Sequence, residues 1–159
     1  VKTYPEISTV LDLSYILNVK AKSINLTSAD KVIYNNTGAL TQTVAKRAWS
    51  IEFETGSANF TPQALNVLED LYNQLNIASG LQVEIFGYTD NTGNPDANVS
   101  LSGARANAVK NWLQNKSATS YPSSRFAQVK GKGQNEPIAD NNSSTGRSKN
   151  RRVEIIMGK

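Results

Sequence analysis

The sequence predicts an α+β fold, two helices packed on a mixed sheet in the order β-α-β-α-β-β. Three observations predict it. Two short stretches alternate apolar with polar residues, two longer ones repeat apolar residues at helical spacing, and residues 152–157 are dense in β-branched side chains. Strands joined through a helix are expected to pair in parallel sense with right-handed crossovers, and the last two strands can pair antiparallel.

The elements follow in order. Trp49, Ile51 and Phe53 alternate with Ser50, Glu52 and Glu54, which places the first strand near residues 49–54. Thr61 and Pro62 read as an N-cap followed by proline at the first helical position, where its missing N–H is not needed. Leu65, Leu68, Leu71, Tyr72 and Leu75 continue at helical spacing, and Gly80 is the expected stop. Leu81, Val83 and Ile85 alternate again in a second strand that runs to about residue 89. A polar loop, residues 91–99, leads to a second helix with the apolar stripe Leu101, Ala104, Ala108, Val109, Trp112 and Leu113. Residues 124–133 read as the third strand, closed by Gly131 and Gly133, and an Asn-, Ser- and Gly-rich loop at 140–146 precedes the last.

The chain has 159 residues, 38% of them hydrophobic, enough for one good core and a small appendage. A boundary is expected near residues 45–48, giving a main domain at 48–159. Residues 1–47 carry only short β-like stretches, at 11–19, 23–26 and 31–34, and the turn sequence Asn35-Asn36-Thr37-Gly38. They are expected to be an N-terminal extension or the remnant of a preceding domain. The sequence begins with Val1 and shows no signal-peptide pattern, as expected of a trimmed or mature fragment. No apolar run approaches the roughly 18–20 residues needed to span a bilayer.

Two absences narrow the chemistry. There is no cysteine, hence no disulfide, thiol nucleophile or Cys-type metal site, and no histidine, the commonest general acid/base and metal ligand. No metal or cofactor is expected, and an enzyme would have to rely on carboxylates such as Asp90 with Glu84 or Asp96. Glu84 alternates onto the strand face opposite Val83 and Ile85, which does not favour a shared cleft. The net charge of +4 permits attraction to anionic polymers. Its densest run, Arg147, Lys149, Arg151 and Arg152, is short and lacks interleaved aromatics, so a nucleic-acid partner is not expected.

Arg105 is the unusual residue of the second helix, four positions after Leu101 and three before Ala108, on or beside the buried stripe. Its stem can snorkel to bring the guanidinium to water. A guanidinium that instead faces the sheet needs an anion, because an unpaired buried charge costs several kcal/mol. Asp90 ends the second strand just before the loop that feeds this helix, at the strand end where α/β architectures commonly bind ligands. Two arrangements follow: Asp90 and Arg105 neutralise each other as a structural pair, or they stand apart and take a zwitterionic amino-acid end between them. Spacing alone does not choose.

Gly87-Tyr88-Thr89-Asp90-Asn91-Thr92-Gly93, then Asn98, then Leu101-Ser102-Gly103-Ala104-Arg105-Ala106 resembles the central signature of OmpA-like peptidoglycan-binding domains. The pieces Gly131-Lys132-Gly133, Pro137, Gly146-Arg147 and Asn150-Arg151-Arg152-Val153-Glu154 agree, as do Phe53, Ala58-Asn59-Phe60 and Pro62. The likeness spans residues 49–158. It implies that Asp90 and Arg105 bind the free end of meso-diaminopimelate, with Thr92, Asn98 and Arg152 shaping the pocket. It further implies a non-catalytic module whose partner is diaminopimelate-type peptidoglycan, in the periplasm or outer-membrane-associated envelope of a diderm bacterium. Two positions depart from the family pattern: Tyr88 stands where histidine is frequent, and Gly56 lies where a polar residue is frequent.

Overall fold

The computed structural model describes residues 33, 34 and 38–159. All of them belong to one compact unit, residues 32–159. The β-like stretches expected at 11–19 and 23–26, with residues 31–32 and 35–37, lie outside the described residues. The elements are β1 (Thr43–Trp49), α1 (Ala64–Ile77), β2 (Gln82–Gly87), α2 (Pro95–Lys116), a 3₁₀ turn (Ser123–Arg125), β3 (Phe126–Gly131), α3 (Ser144–Asn150) and β4 (Val153–Gly158).

The α+β class is the one the sequence predicts, with one helix more. α3 sits in the connection that was expected to be a loop, and it lets the chain travel back across the sheet. The strand order is β1-β4-β2-β3. β2 and β3 are parallel, as expected of strands joined through a helix. β4 does not pair with β3; it inserts between β1 and β2, antiparallel to both. A centre position suits the segment richest in β-branched residues, because a strand flanked on both sides buries most of its side chains. Val153, Ile155 and Met157 of β4 share the core with Val83 and Ile85 of β2, and Ile85 lies opposite Ile155 in register.

β1 lies earlier than the alternation of Trp49, Ile51 and Phe53 predicts. Trp49 is its last residue, Ile51 is buried beyond the strand, and Phe53 makes an isolated bridge with Phe60, their rings 5.2 Å apart. The strand itself is a sheet edge with six of its seven residues exposed, so no apolar alternation marks it. The boundary expected at 45–48 therefore falls inside β1, whose residues 43–49 are paired along β4.

α1 buries Ala64, Leu68, Leu71 and Leu75, positions that share one helix face. Leu65, expected in that stripe, lies about a quarter-turn away and is 49% exposed. Thr61 and Pro62 form a turn ahead of the helix, their carbonyls accepting from Ala64 N and Leu65 N. Gly80 does not close the other end. The buried Arg125 does, donating from Nη2 to the carbonyls of Leu75 and Ala78, from Nη1 to Ser120 O and from Nε to Leu81 O. A cation at a helix C-terminus meets its partial negative charge and satisfies carbonyls that the helix leaves unpaired.

α2 begins at Pro95, four residues before the end of the expected loop. Asn94 caps it, its Oδ1 accepting from Asp96 N and Ala97 N. Its buried residues are Asn98, Ser102, Arg105, Ala106, Val109 and Leu113, whereas Ala104 of the expected stripe is exposed. The first half of the buried face is thus polar. It presses on the ends of β2 and β3 at glycines: a methyl group on Gly87 would lie 2.1 Å from Ser102 O, and one on Gly131 would lie 2.3 Å from Val99 O and 2.4 Å from Gly103 N. Ser102 Oγ completes the dock, donating to Val99 O and accepting from Gly133 N.

Gly131→Ala is expected to lower unfolding free energy by about 3 kcal/mol, the upper range for overpacking, because the obstructing atoms are mainly backbone. Gly103→Ala, whose new methyl would meet its nearest neighbour at an ordinary 3.6 Å, is expected to be neutral or to stabilise by about 0.5–1 kcal/mol. Urea denaturation of both variants checks the contrast.

Candidate functional site

The C-terminal end of β2, the loop after it, the first half of α2, α3 and the chain around Phe53 enclose a cleft of about 740 Å³. Asp90, Thr92, Asn98, Arg105 and Arg152, the five residues singled out from sequence, all line it.

Asp90 is largely buried. Its Oδ1 accepts from Thr92 N at 2.9 Å, a local turn that fixes the carboxylate over the loop. Its Oδ2 accepts from Arg151 Nη1 at 2.6 Å. Burial pushes the Asp90 carboxyl up, but the hydrogen bonds from Arg151 and Thr92 outweigh it and hold its pKa below the ordinary aspartate value. Asn98 holds the loop from below, Nδ2 donating to Thr92 O at 3.0 Å and lying 3.5 Å from Asp90 O and 3.4 Å from Gln134 Oε1. It is a loop brace, and the helix cap is Asn94.

Arg105 projects from α2 with only 8% of its surface exposed. Nε donates to Ser57 O at 3.0 Å, and the guanidinium carbon stands 4.9 Å from the centre of the Phe53 ring. Among the described residues no ion pair within 4.0 Å joins it to a carboxylate, and none joins it to Asp90. The self-paired arrangement is not the one formed. Burial, and after it the charge of Arg151, push the Arg105 pKa down, with Asp90 opposing. Guanidinium nevertheless stays protonated in proteins, so a nearly buried positive charge faces the cleft.

Arg152 forms part of the wall and is committed to the protein. Nε and Nη2 hold Glu154 Oε1 at 2.9 and 2.8 Å, Nη2 also donates to Glu136 O, and the guanidinium stacks 3.7 Å from the Tyr88 ring centre. Lys46 Nζ reaches the other Glu154 oxygen at 2.7 Å. Tyr88 Oη shares its proton between Glu136 and Glu154, and burial followed by the Glu154 charge pushes its pKa up. Tyr88 therefore serves as a neutral buried donor.

Three contributors escaped the sequence reading. Arg151 supplies the partner of Asp90 across 61 positions; Phe53 and Ser57 aim Arg105. Arg151 stood inside the Asn150-Arg151-Arg152 block, but no local signal says which arginine reaches Asp90. Asn150 fixes the backbone there: fully buried, it accepts from Ile138 N and Ala139 N and donates to Ala139 O and Asn141 Oδ1. The basic run does not make one solvated face, since Arg151 pairs with Asp90 and Arg152 with Glu154. Glu84 points to the other side of the sheet, where Leu40 N donates to it, and Asp96 does not line the cleft.

The model of the OmpA family matches residues 52–151, which include Asp90, Thr92, Asn98, Arg105 and Arg151. The chain belongs to the OmpA family. Within that family it is 37% identical over 107 residues, 67% of its length, to the peptidoglycan-binding protein ArfA of Mycobacterium tuberculosis. It is likewise 37% identical over 101 residues, 64% of its length, to the outer membrane protein Omp38 of Acinetobacter baumannii. The matched stretches are 32% of ArfA and 28% of Omp38, so the chain spans about a third of these relatives. The cell wall anchor of the T6SS from Pseudomonas aeruginosa superimposes with a TM-score of 0.59 at 29% identity, over 76% of this chain and 87% of that one. The periplasmic domain of Helicobacter pylori MotB shares the fold, with a TM-score of 0.63 at 21% identity over 76% and 88%. No helix among the described residues of this OmpA-family chain is long and apolar enough to cross a membrane.

The depressed pKa of Asp90 carries a sign. Its contribution to stability is complete above the unfolded aspartate value of about 3.9 and is lost as pH falls through the lower folded value. A carboxyl-detected NMR titration is expected to place Asp90 below about 3.9, and Arg151→Gln is expected to move its midpoint upward. A midpoint that Arg151→Gln leaves in place would contradict the pairing.

Proposed function

We propose that this OmpA-family domain binds peptidoglycan noncovalently through the meso-diaminopimelate residue of stem peptides and anchors the protein that carries it to the cell wall. One observation carries the reading: Arg105, nearly buried and with no carboxylate of the described residues within ion-pair distance, opens on the same cleft as Asp90. A positive charge so placed calls for an anion from outside the protein, because its desolvation is otherwise uncompensated. The free end of diaminopimelate offers a carboxylate to Arg105 and, one carbon away, an ammonium to Asp90. The fixed positions of Asp90, through Thr92, and of Arg105, through Ser57 and Phe53, lower the ordering cost of capture.

The relatives support the same reading: ArfA is a peptidoglycan-binding protein, and the similar Pseudomonas structure is a cell wall anchor. The role is binding without catalysis, and the place is the periplasm or the outer-membrane-associated envelope of a diderm bacterium. No nucleic-acid partner enters, since two of the four cations in the basic run are paired within the protein.

Charge-assisted hydrogen bonds contribute about 1.5–3 kcal/mol each, so Asp90→Ala and Arg105→Ala are each expected to weaken binding ten- to a hundredfold or more. Co-sedimentation with purified sacculi, alongside thermal melts that show the fold retained, measures this. Retention of both variants at wild-type levels would remove the assignment. Lysine-type stem peptides keep the ammonium but lack the carboxylate for Arg105, and calorimetry is expected to show them bound at least tenfold more weakly.

A further inference from the structure

Asp90 is not simply waiting for an ammonium. Arg151 Nη1 already donates to its Oδ2 at 2.6 Å, and the Arg151 side chain is 46% exposed against 12% for Asp90. A ligand ammonium that reaches this carboxylate must share it with the guanidinium or displace it. A displaced guanidinium beside Arg105 would leave two like charges at the mouth of one cleft, unless each finds an anion.

The charges that line the cleft are unequal. Glu52 and Asp90 are acidic; Arg105, Arg147, Arg151 and Arg152 are basic. Arg152 is neutralised by Glu154, and Arg147 spends its Nη1 on the carbonyls of Asn141 and Asn142. Among the described residues Arg151 uses one of its five N–H donors, the bond to Asp90, which leaves the rest of its fork available there. Its backbone is fixed at the end of α3, N–H donating to Arg147 O at 3.1 Å beside the buried Asn150. The result is an exposed cation on a fixed base, close to the site of the proposed ammonium. An amino-acid end with one ammonium and one carboxylate leaves the basic surplus unchanged. A ligand with a second carboxylate removes it.

We infer that Arg151 is a second carboxylate-binding residue of the site: it releases Asp90 to the ligand ammonium and takes another carboxylate of the same stem peptide, while Arg105 holds the first. The inference rests on the peptidoglycan reading and narrows its ligand to a peptide that presents one ammonium and two carboxylates. In a stem peptide the second carboxylate comes from the α-carboxyl of the neighbouring glutamate or from the main-chain carboxyl of diaminopimelate. The chemistry offered to Arg151 is the same.

The test uses the tripeptide L-Ala-γ-D-Glu-meso-diaminopimelate and two analogues, one amidated at the glutamate α-carboxyl and one at the diaminopimelate main-chain carboxyl. Their affinities are measured by calorimetry at low salt for the wild type, Arg151→Gln and Arg151→Lys. Arg151→Gln is expected to weaken the unmodified tripeptide about tenfold, the loss of roughly one charge-assisted bond, and Arg151→Lys to recover part of it. One of the two amidations is expected to weaken wild-type binding by a similar factor and to have no further effect in Arg151→Gln; which one does so identifies the carboxylate. Three results overturn the inference alone, provided Asp90→Ala and Arg105→Ala still weaken binding tenfold or more. These are Arg151→Gln binding as tightly as the wild type or more tightly, neither amidation weakening the wild type, and an amidation penalty that persists unchanged in Arg151→Gln. No binding of the unmodified tripeptide by the wild type, or full binding by Asp90→Ala and Arg105→Ala, would remove the peptidoglycan reading and this inference with it.

Discussion

Helix α2 lies against the ends of β2 and β3 with no side chain between the backbones at the closest points. Gly87 and Gly131 leave the space, and Ser102 Oγ joins the helix to Gly133. That approach sets the height of the helix start over the strand ends, and with it the distance between a carboxylate at the end of β2 and a guanidinium on α2. The same dock puts Asn98 under the loop it braces and orients Arg105 toward Phe53 and Ser57. Two charges on different elements keep a fixed separation only across such a fixed joint.

The electrostatics of the cleft follow a division of labour among arginines. Arg152 and Arg125 are buried and each bonded to several protein acceptors, and they hold structure. Arg105 is buried and, among the described residues, has no anion within ion-pair distance, a costly state that the fold maintains by stacking and one carbonyl bond. Arg151 is half exposed and holds Asp90 in its charged form. One side-chain type thus serves as brace, buried free cation and counter-ion, depending on how much water and how many acceptors surround it.

Asp90 and Arg105 were legible in the sequence because their distance along the chain is short and the elements that carry them are regular. A strand end, a loop and the first turns of a helix suffice to place both. Arg151 was not, since its pairing with Asp90 spans 61 positions and is a property of the folded sheet. The phase of α2 was misjudged because its buried face is polar where it meets the cleft: Asn98, Ser102 and Arg105 occupy positions where periodicity looks for leucine. β1 was placed late because an exposed edge strand has no inner face to mark. The sequence of α3, Ser-Thr-Gly-Arg-Ser-Lys-Asn, has poor helix propensity and reads as a loop by composition; what holds its start is a local cap, Ser143 on Gly146 N with Asp140 behind it.

The position of β4 bears on when this domain can acquire its shape. Residues 153–158 follow every other element in the chain, yet they form the strand that joins β1 to β2. A ribosome that has produced everything up to α3 has made two strand groups with nothing between them, each exposing an unpaired edge. Closure waits for the final strand to thread between partners more than sixty residues upstream, the kind of long-range pairing that is slow to form. The sheet is therefore completed in one late step, since β1 and the β2-β3 pair share no ladder until β4 lies between them.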